Sequence, residues 1–479
     1  MSDRGASFDQ IIERERGLRR SLSARRMTMI ALGGAIGTGL FLGSGFAISL
    51  AGPAVLVSYL VGALIALLLM GCLAEMTVAH PTTGSFGAYA EHYLGPLAGF
   101  LVRYAYWTSI VLAVGTEVTA VALYMRFWLP ASPGWLWIVG FSALLVLVNA
   151  RSVNVFGAIE YWFSAIKVTA IVLFIPLAAY IVLRAPGALA GGVGAAAAPA
   201  AGFHNYTAHG GFFPRGLWGA WVAVIVAIFS YLSIEMIAVA AGEAAQPEIA
   251  VTRAFRATVL RLILFYLLTI ALVLAIVPWT AAGVDVSPFV KVMRALQVPA
   301  AAGIFNFVIL GAALSAKNSQ LYITTRMMFS LARAGQAPRR FGTLDRRGVP
   351  VQALLLSSLG IAFATVVSVV APKSAFILMI SISSFGAMFT WLMIFVTHYA
   401  FRRARERNGA SLRFRMPGYP ATTLLGAALM AAVLLTTAFT DAFRLTLVFG
   451  LPFVAALVVC YRLWYRRGEA AAASSTESA

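Results

Sequence analysis

Residues 33–45 read GGAIGTGLFLGSG, and six of these thirteen positions are glycine. The stretch lies within 27–50, an apolar segment long enough to cross a bilayer, which takes about 20 residues. Glycine weakens a helix, yet inside lipid every backbone polar group has to be hydrogen-bonded. One explanation is close helix packing, because Gly33 and Gly43 each have another glycine four residues away. A nucleotide-binding glycine loop is excluded, since no strand precedes the glycines.

The second explanation is a helix that is interrupted at Ile36-Gly37-Thr38-Gly39. Secondary transporters bind substrates near the middle of the membrane with discontinuous helices, whose ends expose free N–H and C=O groups to a cavity. Free N–H groups at the start of the second half-helix attract an anion, because the helix dipole is positive there. We therefore interpret the glycines mainly as the unwound part of a binding site, with packing as a secondary role for the outer glycines.

The composition is that of an integral membrane protein. Of 479 residues, 61% are hydrophobic and 11% charged, and the mean hydropathy is +0.87; a soluble domain carries about 25% charged residues. The net charge of +19 does not indicate a nucleic-acid partner, because the positive residues concentrate in the tails and in alternate loops. This positive-inside pattern predicts that both termini lie in the cytoplasm. Examples are Arg14, Arg16, Arg19, Arg20, Arg25, Arg26, Arg339, Arg340, Arg346, Arg347 and the arginines from Arg402 to Arg415.

Twelve apolar runs are long enough to span the membrane as α-helices, and an even number agrees with both termini on one side. The chain is thus predicted to be an all-α integral membrane protein with 12 transmembrane helices. The third and eighth runs are long and would be tilted. The predicted spans are 27–50, 54–79, 97–128, 135–151, 158–184, 217–241, 255–280, 299–331, 350–371, 376–401, 419–440 and 443–466.

The remaining segments leave little room for soluble chemistry. The longest loop, 185–216, is an Ala-, Gly- and Pro-rich external connection. No Walker lysine loop, zinc-ligand cluster or Ser/His/Asp set is evident, so we expect a transporter rather than an enzyme, without cofactor or metal. Cys72 and Cys460 lie in apolar stretches and predict no disulfide. The first span follows a charged tail without an evident cleavage site, so we expect it to be retained.

A second interruption is predicted in span 6. The stretch FSYLSIE, residues 229–235, places an acid, Glu235, in an otherwise apolar run. In a fold built from two inverted repeats of five helices, span 6 corresponds to span 1, and paired interruptions are the best sequence sign of a binding site. Here the interruption is polar and aromatic rather than glycine-rich.

Seven motifs, in order along almost the whole chain, resemble the amino acid–polyamine–organocation (APC) superfamily and, within it, the bacterial amino acid transporter (AAT) family of permeases. They are RRMTMIALGGAIGTGLFLGSG at 25–45, AGP at 51–53, EMTVAHPTTGSFGAYAEHYLGP at 75–96, YWFSAIK at 161–167, FSYLSIEMIAVAAGEAAQPE at 229–248, NFVILGAALSAKNSQLYITTRMMFSLA at 306–332 and GVP at 348–350. The resemblance implies a LeuT-like, five-plus-five inverted-repeat fold with broken helices 1 and 6. It also implies alternating access and proton-coupled uptake of an amino acid across the bacterial cytoplasmic (inner) membrane.

The resemblance implies a division of the chain into six parts and a set of expected partners. The parts are a cytoplasmic N-terminal tail at 1–26, a first repeat of spans 1–5 at 27–184, the external loop at 185–216, a second repeat of spans 6–10 at 217–401, spans 11–12 at 402–466 and a cytoplasmic C-terminal tail at 467–479. The partners are a small-molecule amino acid, protons and the lipid bilayer, with the proton gradient as the energy source.

The resemblance also assigns a substrate site by motif. Backbone groups of the first interruption would hold the substrate's carboxylate, and carbonyl groups of span 6 would hold its ammonium group. This agrees with the physics, because a zwitterion has one charge for each kind of half-helix end. The carboxylate set is Ile36, Gly37, Thr38 and Gly39, and the ammonium set is Phe229, Ser230 and Leu232.

Lys167 lies near the middle of span 5, where an ionisable residue is a functional candidate by default. In the resembling family a lysine at this position lies between spans 1, 5 and 8, where sodium-coupled relatives hold a cation. The resemblance implies that its ammonium replaces sodium and couples transport to the proton gradient by losing its proton. The alternative is a lysine that extends to the membrane surface. Its expected neighbours are Ser315, Asn318 and Ser319.

Three further side chains belong to the predicted site. Glu235 meets a substrate side chain or Lys167, or else forms a structural hydrogen bond to the unwound backbone. Glu117 in span 3 is a supporting candidate for which function and structure both stay open. Tyr231, like Phe229, is expected to form a wall or gate of the pocket, although an aromatic residue in such a bundle also suits the core.

Three positions depart from the family pattern. An acid usually follows FG in span 5, where this chain has Ala158, although Glu160 remains. Ser233 replaces the usual glycine before the span 6 acid, which makes the unwound segment less free. Lys317 stands where a small residue is typical, and it competes with Lys167, changes the coupling or points to the cytoplasm.

Several functions stay open at this point. A buried lysine argues against sodium symport, but amino acid exchange and import of a cationic amino acid or amine are not excluded. The paired interruptions disfavour a channel, and the short tails disfavour a membrane sensor. Ser230, Ser233 and Ser384 favour a neutral, small polar substrate, whereas Glu117 and Glu235 suit a cationic one.

Overall fold

The computed structural model describes residue 8 and residues 36–82, 84–151, 153–184, 201–241, 264–283, 285–295, 300–409 and 411–465. Every regular element in these ranges is a helix. Gly33, the N-terminal tail apart from Phe8, the C-terminal tail and the first half of the external connection lie outside the described residues.

The helices follow one another in the order of the predicted spans. A π-helix, Gly39–Gly43, leads into α1 (Ser44–Ala51), followed by α2 (Val55–Ala79), α3 (Ser85–Leu94), α4 (Pro96–Met125), α5 (Gly134–Asn149) and α6 (Val153–Arg184). The next are α7 (Gly216–Tyr231), α8 (Met236–Ala241), α9 (Leu264–Ile276), α10 (Pro288–Ala295) and α11 (Ala301–Arg333). The last are α12 (Val351–Ser357), α13 (Leu359–Val370), α14 (Ala375–Arg407), α15 (Ala421–Thr436) and α16 (Arg444–Cys460).

Nine helical stretches within the described ranges are long and apolar enough to cross a membrane, and α5 and α9 are shorter apolar helices. The longest, Gly39–Ala79, joins the described part of predicted span 1 to predicted span 2. The all-helical membrane architecture is confirmed. The count of twelve spans and the inverted repeat stay predictions.

The bundle has a buried centre and a hydrophobic rim. The apolar window of Gly216–Val239 is completely buried, whereas that of Asp441–Leu463 is 22% buried. Helix α4 packs against α11, α13 and α14, and α7 packs against α1 and α2. Side chains such as Leu183 and Val370 are exposed on outer helices, as expected for surfaces that face lipid. The polar residues of the predicted site therefore lie on the central helices.

A buried polar cluster connects α2, α14 and the segment before α15. Glu75 accepts hydrogen bonds from the Met416 N–H at 2.7 Å and pairs with Arg402 at 3.2 Å. His398 Nε2 lies 3.1 Å from the same carboxylate. A buried carboxylate is costly unless it is paired, so these contacts make Glu75 a structural brace between the helices.

Candidate substrate site

The glycine stretch begins as a bend and continues as a π-helix. Ile36 and Gly37 lie in the bend, and the π-helix Gly39–Gly43 follows. The Phe41 N–H lies 3.4 Å from the Gly37 carbonyl oxygen, which is long for a hydrogen bond. π-Helical turns are rare and occur frequently at functional sites. The first half of predicted span 1 lies outside the described residues, so the break itself stays a prediction there.

Two glycines of this stretch allow close approach of neighbouring helices. A Cβ atom on Gly39 would lie 2.8 Å from the Ser230 Cα atom of α7. A Cβ atom on Gly37 would lie 2.8 Å from both Ala316 Cβ on α11 and Glu117 Oε1 on α4. A Cβ atom at either position would force its neighbours to shift, which favours glycine at both positions.

Two charged side chains reach the backbone of this bend from different helices. The Lys167 Nζ atom donates a hydrogen bond to the Ile36 carbonyl at 3.0 Å. The Thr38 N–H donates to Glu117 Oε2 at 3.2 Å. Both side chains are buried, with 0% and 3% of their surface exposed. A side-chain donor therefore meets a carbonyl and a side-chain acceptor meets an N–H, and these are the two kinds of backbone group predicted to bind a zwitterion.

The predicted interruption of span 6 is present in the structure. Helix α7 ends at Tyr231 and α8 begins at Met236. Between them Ser233 has a φ of +79°, in the left-handed region. This conformation costs a non-glycine residue roughly 1–2 kcal/mol, which explains why the resembling family usually has glycine there.

Glu235 stabilises this interruption. Its Oε1 atom accepts hydrogen bonds from the Tyr106 hydroxyl at 2.6 Å and the Ser233 N–H at 3.1 Å. Its Oε2 atom accepts from the Trp391 indole N–H at 3.2 Å. The geometry matches the structural alternative for Glu235, because the carboxylate satisfies a backbone N–H that the interruption leaves free.

Two of the three carbonyl groups predicted for the ammonium already accept hydrogen bonds. The Leu232 N–H donates to the Phe229 carbonyl at 3.3 Å. The Tyr266 hydroxyl donates to the Ser230 carbonyl at 2.9 Å. A carbonyl oxygen has two lone pairs, so both groups can still accept a second donor.

Tyr231 belongs to a cluster of three tyrosines beside the interruption. Its ring centre lies 5.1 Å from that of Tyr266 and 6.1 Å from that of Tyr59. Its hydroxyl donates to the Tyr59 carbonyl at 3.3 Å. The structure thus places Tyr231 in the packed core next to the site.

A small cavity of about 10 Å³ lies between the two interruptions. This volume holds about one water molecule. The cavity is lined by Gly37, Gly39, Ile110, Ala113, Glu117, Phe229, Leu232, Ser233 and Gln320. Ile110, Ala113 and Gln320 were not predicted from the sequence. The first two lie seven and four residues before Glu117, a spacing that places them on the same helix face.

Glu160 joins the surroundings of Lys167. The Ser315 hydroxyl donates to its Oε1 atom at 2.5 Å, and Asn318 Nδ2 donates to its Oε2 atom at 3.1 Å. Its carboxylate and the Lys167 ammonium interact electrostatically. Two of the three predicted neighbours of Lys167 therefore hold Glu160. Ser319, the third, is buried beside the same carboxylate.

Lys317 lies on another face of α11. Its ammonium donates to the Ser142 hydroxyl of α5, and the side chain is completely buried. It therefore does not point to the cytoplasm, which was one of the three alternatives for this residue.

An aromatic cluster covers the π-helix. The Phe289 ring of α10 lies 5.1 Å from that of Phe41 and 4.9 Å from that of Phe174. The Ser287 hydroxyl donates to the Phe41 carbonyl at 2.5 Å. Together with the small cavity, this cover shows that the site is closed in this conformation.

A multi-pass helical bundle with buried polar residues on its central helices is the architecture expected of a membrane permease. The sequence matches the amino acid permease family over residues 26–471, and the chain belongs to this family.

The curated relatives extend this match over most of the chain. The uncharacterized amino acid permease YtnA of Bacillus subtilis (strain 168) is 37% identical over 459 residues, which cover 95% of this chain and 97% of that protein. The gamma-aminobutyric acid permease of the same organism is 38% identical over 453 residues, 94% of each chain. The aromatic amino acid transport protein AroP of Escherichia coli O6:H1 is 38% identical over 417 residues, 87% of this chain and 89% of that protein. These relatives are transport proteins, which confirms the expectation that the chain is a transporter and not an enzyme.

Proposed function

We propose that the protein is a secondary active transporter that imports a neutral amino acid by proton symport across the cytoplasmic membrane, with both termini in the cytoplasm. The observation that carries this proposal is the pair of contacts at the first interruption. The Ile36 carbonyl binds the Lys167 ammonium, and the Thr38 N–H binds the Glu117 carboxylate. A backbone that holds both charges is suited to a substrate that carries both, as an amino acid does.

The lining of the cavity supports a neutral side chain. Ile110, Ala113 and Leu232 are apolar. Glu235, one of the two acids that would suit a cationic side chain, already accepts three hydrogen bonds. The relatives named for gamma-aminobutyric acid and for aromatic amino acids add support, because neither kind of substrate carries a net positive charge.

Lys167 is the proposed coupling residue. Its ammonium holds the Ile36 carbonyl, so loss of its proton would weaken a contact of the substrate-binding backbone. Glu160 lies seven residues earlier on the same face of α6 and interacts with the ammonium electrostatically. In this proposal the proton gradient controls the protonation of Lys167 and thereby the shape of the site.

The test is uptake of labelled amino acids into proteoliposomes, with an inward proton gradient and no sodium. The panel contains small neutral, branched, aromatic, acidic and basic amino acids and gamma-aminobutyric acid. We expect accumulation of one neutral class, abolished by a protonophore. Exchange of internal for external substrate without any net accumulation would instead establish an exchanger.

Two lysine variants form a matched pair in the same assay. Lys167→Ala is expected to abolish accumulation, because the Ile36 carbonyl loses its cation. Lys317→Met removes an equally buried lysine that contacts α5, and it is expected to keep protonophore-sensitive accumulation. Accumulation that survives in Lys167→Ala would contradict the coupling role of Lys167.

A further inference from the structure

We propose that the Glu117 carboxylate occupies the place of the substrate's carboxylate, and that the substrate binds there only together with a proton. This inference rests on the function proposed above. It assigns Glu117, beside Lys167, to the coupling of the substrate to the proton.

The position of the carboxylate is the first argument. The Thr38 N–H belongs to the backbone predicted to receive the substrate's carboxylate, and it donates to Glu117 Oε2 at 3.2 Å. Glu117 Oε1 lies 2.8 Å from the point where a Cβ atom of Gly37 would be. The carboxylate therefore lies over the Gly37-Thr38 backbone, on the surface that a substrate carboxylate would need.

The surroundings of Glu117 are the second argument. It lines the same small cavity as Gln320, whose Oε1 atom is buried without a hydrogen-bond partner among the described residues. This amide oxygen can accept a hydrogen bond but cannot itself bind an anion. The titratable groups that interact with Glu117 are Lys167 of α6, Tyr124 of α4 and Tyr266 of α9. The segment between α7 and α8 and helix α11 present the neutral Ser233 and Gln320 to the cavity.

Two carboxylates at one N–H group repel each other in a buried site, and such a pair shares one proton. In the first step, a proton from the external water binds the Glu117 carboxylate and forms the neutral acid. The Thr38 N–H is then released to the substrate's carboxylate, to which the acid can donate its O–H. In the last step, substrate and proton leave to the cytoplasmic water, and the Glu117 carboxylate returns to the Thr38 N–H. Glu117 thus carries one proton for each substrate molecule.

The first experiment compares dissociation constants of the transported amino acid between about pH 5 and 8 in purified protein. In the wild type, binding is expected to weaken up to about tenfold per pH unit once Glu117 is ionised. Glu117→Gln keeps an acceptor for the Thr38 N–H but carries no charge, so its binding is expected to depend on pH much less steeply than that of the wild type. Glu75→Gln, which removes a buried carboxylate of the structural brace, is expected to keep the wild-type slope. The same slope in Glu117→Gln as in the wild type overturns the inference.

A second measurement uses the wild-type protein and a changed ligand. The carboxamide of the same amino acid has no carboxylate to compete with Glu117. We expect it to bind more weakly, with no dependence on pH between about 5 and 7. If binding of the carboxamide depends on pH as steeply as binding of the parent amino acid, the inference is overturned without any variant. A wild type that accumulates no amino acid under a proton gradient contradicts the proposed function itself, whereas proton-driven accumulation with pH-independent binding contradicts only this inference.

Discussion

The two segments that line the central cavity, the glycine bend and the interruption of span 6, are stabilised in opposite ways. The first interruption depends on missing side chains, because Gly37 and Gly39 allow α4, α7 and α11 to approach the backbone. The second depends on an added side chain, because Glu235 binds the Ser233 N–H and joins it to Tyr106 and Trp391. The bend at Ile36 and Gly37 thus depends on steric fit, and the interruption of span 6 depends on hydrogen bonds. The two mechanisms predict different responses to substitution.

The largest effect is expected at the glycine interruption. In Gly39→Ala the new Cβ atom would lie 2.8 Å from backbone of α7, and the rigid neighbour cannot move aside. Such overpacking costs about 1–3 kcal/mol. If this cost falls on the active conformation, the population of that conformation falls roughly 5- to 150-fold. We expect the initial rate of amino acid uptake in proteoliposomes to fall within this range.

Gly43→Ala is the matched control, four residues further along the same segment. Its Cβ atom would meet its nearest neighbours at 3.6 Å, which is ordinary contact. We expect uptake close to that of the wild type. Equal losses of uptake in both variants would show that glycine is needed at these positions because of helix propensity and not because α7 approaches closely.

An intermediate effect is expected at the hydrogen-bonded interruption. Glu235→Gln leaves at least one of three buried donors without its acceptor, at a cost of about 1–3 kcal/mol in the free energy of unfolding. Trp391→Phe removes a single donor and is expected to cost less. Thermal unfolding of the purified variants measures both costs. Unchanged stability in Glu235→Gln, combined with altered preference for charged substrates, would instead assign Glu235 to the substrate.

The smallest effect is expected at Ser233. Ser233→Gly relieves a left-handed conformation that costs roughly 1–2 kcal/mol, but glycine has more freedom to lose on folding, worth about 0.5–1 kcal/mol. The variant should be as stable as the wild type or up to about 1.5 kcal/mol more stable, with uptake retained. Ser233→Ala keeps a Cβ atom in the same conformation and should show no gain. A lower melting temperature in Ser233→Gly would contradict the strain at this position.

The apolar runs predicted the all-helical membrane fold, and the acid within FSYLSIE predicted the interruption of span 6. They succeeded because membrane helices are defined locally, by apolar length and by the residues that break them. The partners of Glu235 were not predictable, because Tyr106 and Trp391 come from helices that are distant in sequence. The same holds for the contact between Thr38 and Glu117, 79 residues apart. Glu160 could have been recognised, since it lies on the same helix face as Lys167.

The size of the central cavity has a consequence for measured affinities. At about 10 Å³ it holds a single water molecule, so an amino acid can enter only a more open conformation. The apparent dissociation constant is then the intrinsic one divided by the fraction of molecules that are open. If about one molecule in ten is open, the measured affinity is about ten times weaker than the contacts themselves provide. A binding protein or lipid that favours the open form would therefore tighten substrate binding without touching the substrate.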